Sequence, residues 1–150
     1  MRDFHKAMLL AGLLSMPGPS WAQTAAPADA ETYLISPRDG AKLRNPIIVR
    51  FGLRNMGVTH AGDAAPNMGH HHLLIDVTEP INPTEPLPSN KRYLHFGAGQ
   101  TEMKLELPPG NHTLQLVLGD ANHKPFQPLV SSKIIHIRVL RSKSVAARRS

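Results

Sequence analysis

Gly110-Asn111-His112-Thr113-Leu114-Gln115-Leu116-Val117-Leu118 is the stretch whose reading decides the fold. Pro108-Pro109-Gly110 turns the chain into it and Gly119-Asp120 ends it, which is turn chemistry on both sides of a strand. Just upstream, Thr101, Met103, Leu105 and Leu107 alternate with Glu102, Lys104 and Glu106, the pattern of a half-buried antiparallel strand. Further back, Ile47, Val49, Phe51 and Leu53 alternate with Ile48, Arg50 and Gly52. Short strands are also expected at Tyr33-Leu34-Ile35, from His70 to Val77, at Tyr93-Leu94-His95-Phe96 and from Lys133 to Leu140. No segment sustains a 3.6-residue period. Short strands separated by turn signals predict an all-β domain, a single antiparallel β-sandwich of about seven strands.

The opening stretch also says which sandwich to expect. Gly110-Asn111-His112-Thr113-Leu114 resembles the corner before the sixth strand of immunoglobulin-like domains, where Gly-x-Tyr-x-Cys is usual. His112 then stands at the corner tyrosine's position and Leu114 at the cysteine's.

The two ends of the chain read differently from this body. Arg2 and Lys6, the apolar run Ala7 to Leu14, and Ser20-Trp21-Ala22 predict a cleavable signal peptide over residues 1–22. The apolar run is too short to span a bilayer, which takes roughly 20 residues. An exported, periplasmic product without a membrane span is the expectation. Residues 23–32 read as a flexible leader, 33–140 as the domain, and 141–150 as a basic disordered tail. The formal net charge is +6. The signal contributes +1 through Arg2, Lys6 and Asp3, and the tail +4 through Arg141, Lys143, Arg148 and Arg149, leaving +1 for residues 23–140. A body so nearly neutral lacks the basic face that nucleic acid requires, so no nucleic-acid partner is expected. The chain has no cysteine. Disulfides, thiolate zinc sites, blue-copper ligation and a cysteine nucleophile are thereby excluded.

Chemistry concentrates in Gly69-His70-His71-His72-Leu73-Leu74-Ile75-Asp76-Val77. Imidazole is the commonest neutral metal ligand. Strand alternation places His70 and His72 on one side with Leu74 and Asp76, and His71 on the other with Leu73, Ile75 and Val77. His70 and His72 are therefore the expected ligand pair and His71 a buried or hydrogen-bonded partner behind them, although both faces are apolar further along and the reverse remains open. In a sandwich of alternating strands, three loops share the end at which His70 lies. That rim collects Met56, His60, Met68, His70 to His72, His95 and His123, with Asp120 beside them, while His112 falls at the opposite end and His136 faces solvent. Imidazoles of His70, His72, His95 and His123 with a thioether from Met56 or Met68 suit copper, which heads the divalent affinity order. Zinc is the alternative, since it accepts the same imidazoles without sulfur. Asp120 is the candidate acceptor that would fix a ring tautomer.

Plainer roles are open to the same residues. The triplet also serves as a hydrogen-bonding strand entrance, Met56 and Met68 as gap-fillers, and His95 and His123 as loop anchors. Ser131 and Ser132 lack a nucleophile elbow and no glycine-rich phosphate loop is present, so a non-catalytic module is expected. It binds either a metal ion through its His/Met-rich rim or a small ligand or protein without metal.

Phe51-Gly52-Leu53-Arg54-Asn55-Met56-Gly57-Val58, Gly69 to Asp76, His95-Phe96-Gly97-Ala98-Gly99-Gln100-Thr101-Glu102 and Pro109 to His123 together resemble a bacterial domain-of-unknown-function family, number 4399. The resemblance runs from about residue 34 to 140 and implies one short exported domain, with no activity attached. Pro125-Phe126-Gln127-Pro128-Leu129 departs from the family pattern, which often has a further histidine there.

Overall fold

The alternation of Ile47, Val49 and Phe51 turns those side chains inward, and each is at most 4% exposed. The computed structural model describes residues 23–142, so the expected signal peptide and most of the expected basic tail lie outside the described residues. Nine strands form in chain order. They are β1 (Glu31–Ser36), β2 (Lys42–Leu43), β3 (Ile47–Arg54), β4 (Gly57–Val58), β5 (Met68–Ile75), β6 (Tyr93–His95), β7 (Glu102–Leu105), β8 (Gly110–Gly119) and β9 (Ile135–Val139). Among the described residues there is no helix, and so none long and apolar enough to cross a membrane.

β1, β3 and β7 make a three-stranded sheet, and β2, β9, β8, β5 and β4 make the larger one, with β6 added alongside β5. The fold is the all-β sandwich expected. Seven strands become nine because two-residue pieces, β2 and β4, add parallel pairings to β9 and β5. The last strand begins at Ile135, since the preceding residues run along β8, with Ser132 N–H donating to Leu116 O and Leu118 N–H to Val130 O.

Between the sheets, Ile47, Val49 and Phe51 meet Leu73, Ile75, Phe96, Leu105, Leu114, Leu116, Ile137 and Val139. This is the main core, and burial of these side chains at roughly 1.5–3 kcal/mol each supplies its driving force. Leu114 fills the cysteine's place in the corner motif and is fully buried. His112 copies the corner tyrosine by bonding back to the chain, its Nε2 lying 2.9 Å from Pro108 O.

A second, smaller cluster decides where the histidines can go. Leu74 and Val117, on the outer face of the larger sheet, pack with Val77 and Leu87. The proline-rich connection from 76 to 92 therefore lies across that outer face, and β5 is buried on both sides from Gly69 to Ile75. Asp76 does not continue the alternation. Its φ of 53° swings the carboxylate toward β8, where Oδ2 lies 2.7 Å from His112 Nδ1 and Oδ1 accepts from Thr113 N–H at 2.8 Å. The expectation that Asp76 shares the face of His70 and His72 is corrected by this left-handed residue.

Residues 23–30 also differ from the flexible leader expected. Ala26 N–H donates to Gln127 O and Gln127 N–H to Thr24 O, both at 2.9 Å, and Ala26 and Ala30 pack against Leu118, Phe126 and Val130. Small apolar side chains fit closely there, which a composition-based reading of flexibility overlooks.

Candidate metal centre

Antiparallel pairing of β5 with β6 sets His72 opposite His95, and pairing of β5 with β8 sets His70 opposite Gly119. His123 follows on the loop after β8. Two strands and one loop thus converge on the outer face of the larger sheet at one end. The ring centroids of His70 lie 4.9 Å from those of His72 and His95 and 5.0 Å from that of His123. His95 and His123 are 4.7 Å apart, His72 and His95 5.1 Å, and His72 and His123 6.0 Å. Four imidazoles share one small volume. Ligating nitrogens of His70, His72 and His95 all lie within 4.8 Å of one another, so these three form a group able to hold a metal ion.

Two glycines, legible in the sequence only as turn and loop residues, make this crowding possible. A Cβ on Gly119 would sit 2.7 Å from His72 Cε1, and one on Gly97 would sit 2.3 Å from His95 Cε1. Both positions need hydrogen in place of a side chain, which only glycine supplies. The β4–β5 loop crosses the same end: Ala61 N–H donates to Gly97 O and Gly62 N–H to Ala121 O, tying together the segments that bear His95 and His123. His60 in that loop is exposed.

His70, His71 and His72 are each 0% exposed. No protein group hydrogen-bonds either ring nitrogen of His70 or His72, nor His95 Nε2. Buried polar atoms are paired in the great majority of cases, and each one left without a partner costs about 1–3 kcal/mol. Burial, with the neighbouring imidazoles adding to it, pushes the His70 pKa down to about 4 and that of His72 to about 3. The Asp120 carboxylate opposes the shift at His70. Burial and His123 lower the pKa of His95 too. At pH 7 these three rings are neutral, with lone pairs available to an ion without loss of a proton.

His71 points the other way, into the core between the sheets, its ring centroid 5.3 Å from that of Phe51. Neither of its nitrogens meets a partner in good hydrogen-bond geometry, and burial lowers its pKa to about 4, opposed by hydrogen bonding with the Gly52 backbone. An ion on the outer face leaves these atoms untouched. Replacing His71 by Leu removes two poorly paired polar atoms at similar volume, so H71L is expected to gain about 1 kcal/mol of stability. Urea denaturation of the metal-free protein checks this through its midpoint.

The other expected rim residues take separate places. Met56 packs with Leu118, Phe126 and Val130, on the face of β8 opposite the imidazoles. The Met68 thioether arm lies over Gly57, whose Cβ would come within 2.9 Å of Met68 Cε. Asp120, 5% exposed, acts on His70 through its charge but hydrogen-bonds elsewhere: Oδ2 accepts from Thr24 Oγ1 at 2.6 Å, and Oδ1 from the N–H groups of Asn122 and Lys124 at 2.8 and 2.9 Å. His112 sits at the far end with Asp76, and His136 is exposed beside Asp39.

The model of a family described as a domain of unknown function (DUF4399) matches residues 49–140, which hold His70, His72, His95 and His123. The chain belongs to the DUF4399 family. No curated protein matches it. Among solved structures, an endo-β-1,4-mannanase from Thermotoga petrophila is similar at 16% identity with a TM-score of 0.45. The likeness covers 76% of this chain and 20% of the mannanase, and it carries no argument about activity.

Proposed function

We propose that this DUF4399 protein is an exported, periplasmic module that binds one transition-metal ion through His70, His72 and His95, with His123 as the fourth ligand. One observation carries the reading: the buried rings of His70 and His72 and the half-buried ring of His95 converge as neutral imidazoles with nitrogens unpaired by any protein group. Ligation satisfies one nitrogen on each of the three rings at once, whereas a hydrogen-bonded strand entrance would show protein partners for them. Copper(II) is the favoured ion, because an imidazole donor set follows the divalent order in which copper stands highest. Zinc(II) is the second choice, suited to three or four imidazoles in a tetrahedron. Thioether ligation from Met56 has no support in its packing. Export is supported by the charged, apolar and small-residue succession over residues 1–22.

The test is a competition titration of the mature protein, made without a histidine tag, with Cu(II) and Zn(II). One equivalent is expected to bind, and the double variant H70A/H72A to lose affinity by at least 100-fold. Affinity retained in the double variant contradicts the proposal. Gly119→Ala provides a subtler check, since its methyl would push the His72 ring aside. G119A is expected to weaken binding about tenfold, the scale on which misplaced ligands lose a metal, as read in the same titration.

A further inference from the structure

His123 differs from the other three imidazoles in how it is held. His70, His72 and His95 stand on paired strands, whereas His123 rides on a turn in which its own φ is +65°. A non-glycine residue in that region persists only where its surroundings fix it. Leu87 N–H, from the proline-rich connection, donates to His123 O at 2.8 Å, and the rest of the fixing runs through Asp120. His123 N–H donates to Asp120 O and Asp120 N–H donates to Lys124 O, both at 2.9 Å, closing the turn on itself. The Asp120 side chain closes it a second time by accepting from the N–H groups of Asn122 and Lys124, one on either side of His123. The remaining carboxylate oxygen takes the Thr24 hydroxyl at 2.6 Å. Residues 24–26 then clasp Gln127, on the far side of the turn, by two backbone hydrogen bonds. Gln23 reaches from the same segment to Pro83 O in the proline-rich connection that covers the outer face.

From this arrangement we infer that Thr24 and Asp120 are positioning residues of the metal site, and that the segment 23–27 is a strap holding the fourth ligand in place. The inference rests on the metal-binding reading and adds to it. Three ligands come preformed from strands, and the fourth is supplied by a loop whose geometry is set by a segment nearly one hundred positions earlier in the chain. Loss of the Thr24 hydroxyl frees one oxygen of a buried carboxylate and lets the turn shift on its remaining hydrogen bonds. The ion would then keep three imidazoles and take solvent in place of His123.

Cu(II) binding and the electron paramagnetic resonance spectrum of the Cu(II)-loaded mature protein test this together. Thr24→Val is expected to raise the dissociation constant about tenfold, as changes behind metal ligands do, and to give the spectrum of the H123A variant. Asp120→Asn, which keeps size and removes charge, is expected to move both readouts the same way. Thr24→Ser, which restores the hydroxyl, is expected to return both to wild type. A T24V spectrum identical to wild type overturns the inference whatever its affinity, because a general loss of stability alone would leave the ligand set intact. Wild-type protein that takes up no Cu(II) instead overturns the metal-binding reading itself.

Discussion

Acidifying the metal-free protein from pH 7 to pH 4 is expected to unfold it. His70, His71 and His72 are enclosed side by side, and burial holds their pKa values at about 4, 4 and 3. In the unfolded chain each titrates near 6.5. Folded values below unfolded ones mean that the unfolded state binds more protons, so stability rises with pH across this window and falls as pH drops from about 6.5 toward about 4. Each imidazole contributes roughly 1.4 kcal/mol per pH unit, and three together about 4 kcal/mol per unit. Two such units are comparable to the whole stability of a typical domain, about 5–15 kcal/mol. His112 works in the opposite sense: burial depresses its pKa, but bonds to Asp76 and to the Pro108 carbonyl outweigh that and raise it. Its contribution is present in acid and lost as pH rises through its folded pKa, so a single half-buried ring opposes three buried ones. Circular dichroism across pH 7 to 4 checks the prediction, with H71L expected to lose about one third of the slope. A native spectrum retained at pH 4 would contradict it.

Metal should stabilise the same fold strongly. An ion that binds the native state alone adds about 4.1 kcal/mol when its free concentration is 1,000 times the dissociation constant. For a body of this size, that corresponds to a rise of roughly 15 °C in the thermal midpoint. The gain is expected to vanish with a chelator and to be absent from H70A/H72A. The acid transition should also move to lower pH in the loaded protein, because protons and metal compete for the same nitrogens. Differential scanning calorimetry at several pH values, with and without Cu(II) in excess over the protein, reads both effects. An equal midpoint in the two samples would mean that the ion does not bind the native state or binds the unfolded chain equally well.

Much of the site was legible because strand geometry is periodic. The split of the triplet into His70 and His72 against His71 follows from alternation, and the structure turns His71 onto Phe51 as that split requires. The gathering of His95 and His123 follows from alternating strand direction, with no contact known in advance. The limits are equally physical. Alternation fails at Asp76, whose positive φ has no periodic signature. Met56 shares the rim loops but falls on the inner side of the sheet, because loop residues obey no period at all. Gly97 and Gly119 act by having no side chain, and a glycine near a strand end looks like any other turn. Thr24 and Asp120 meet across 96 positions, a pairing that a single sequence does not encode in any local pattern. Residues 23–30 looked flexible by composition, yet alanines are small enough to dock against Phe126 and Leu118.

X-ray absorption at the metal edge of the loaded, tag-free mature protein tests the central claim most directly. The site described here predicts three or four imidazole nitrogens around the ion, with the outer-shell scattering characteristic of the ring, and no sulfur. A sulfur neighbour, fewer than three imidazoles, or a spectrum unchanged in H70A/H72A would contradict it.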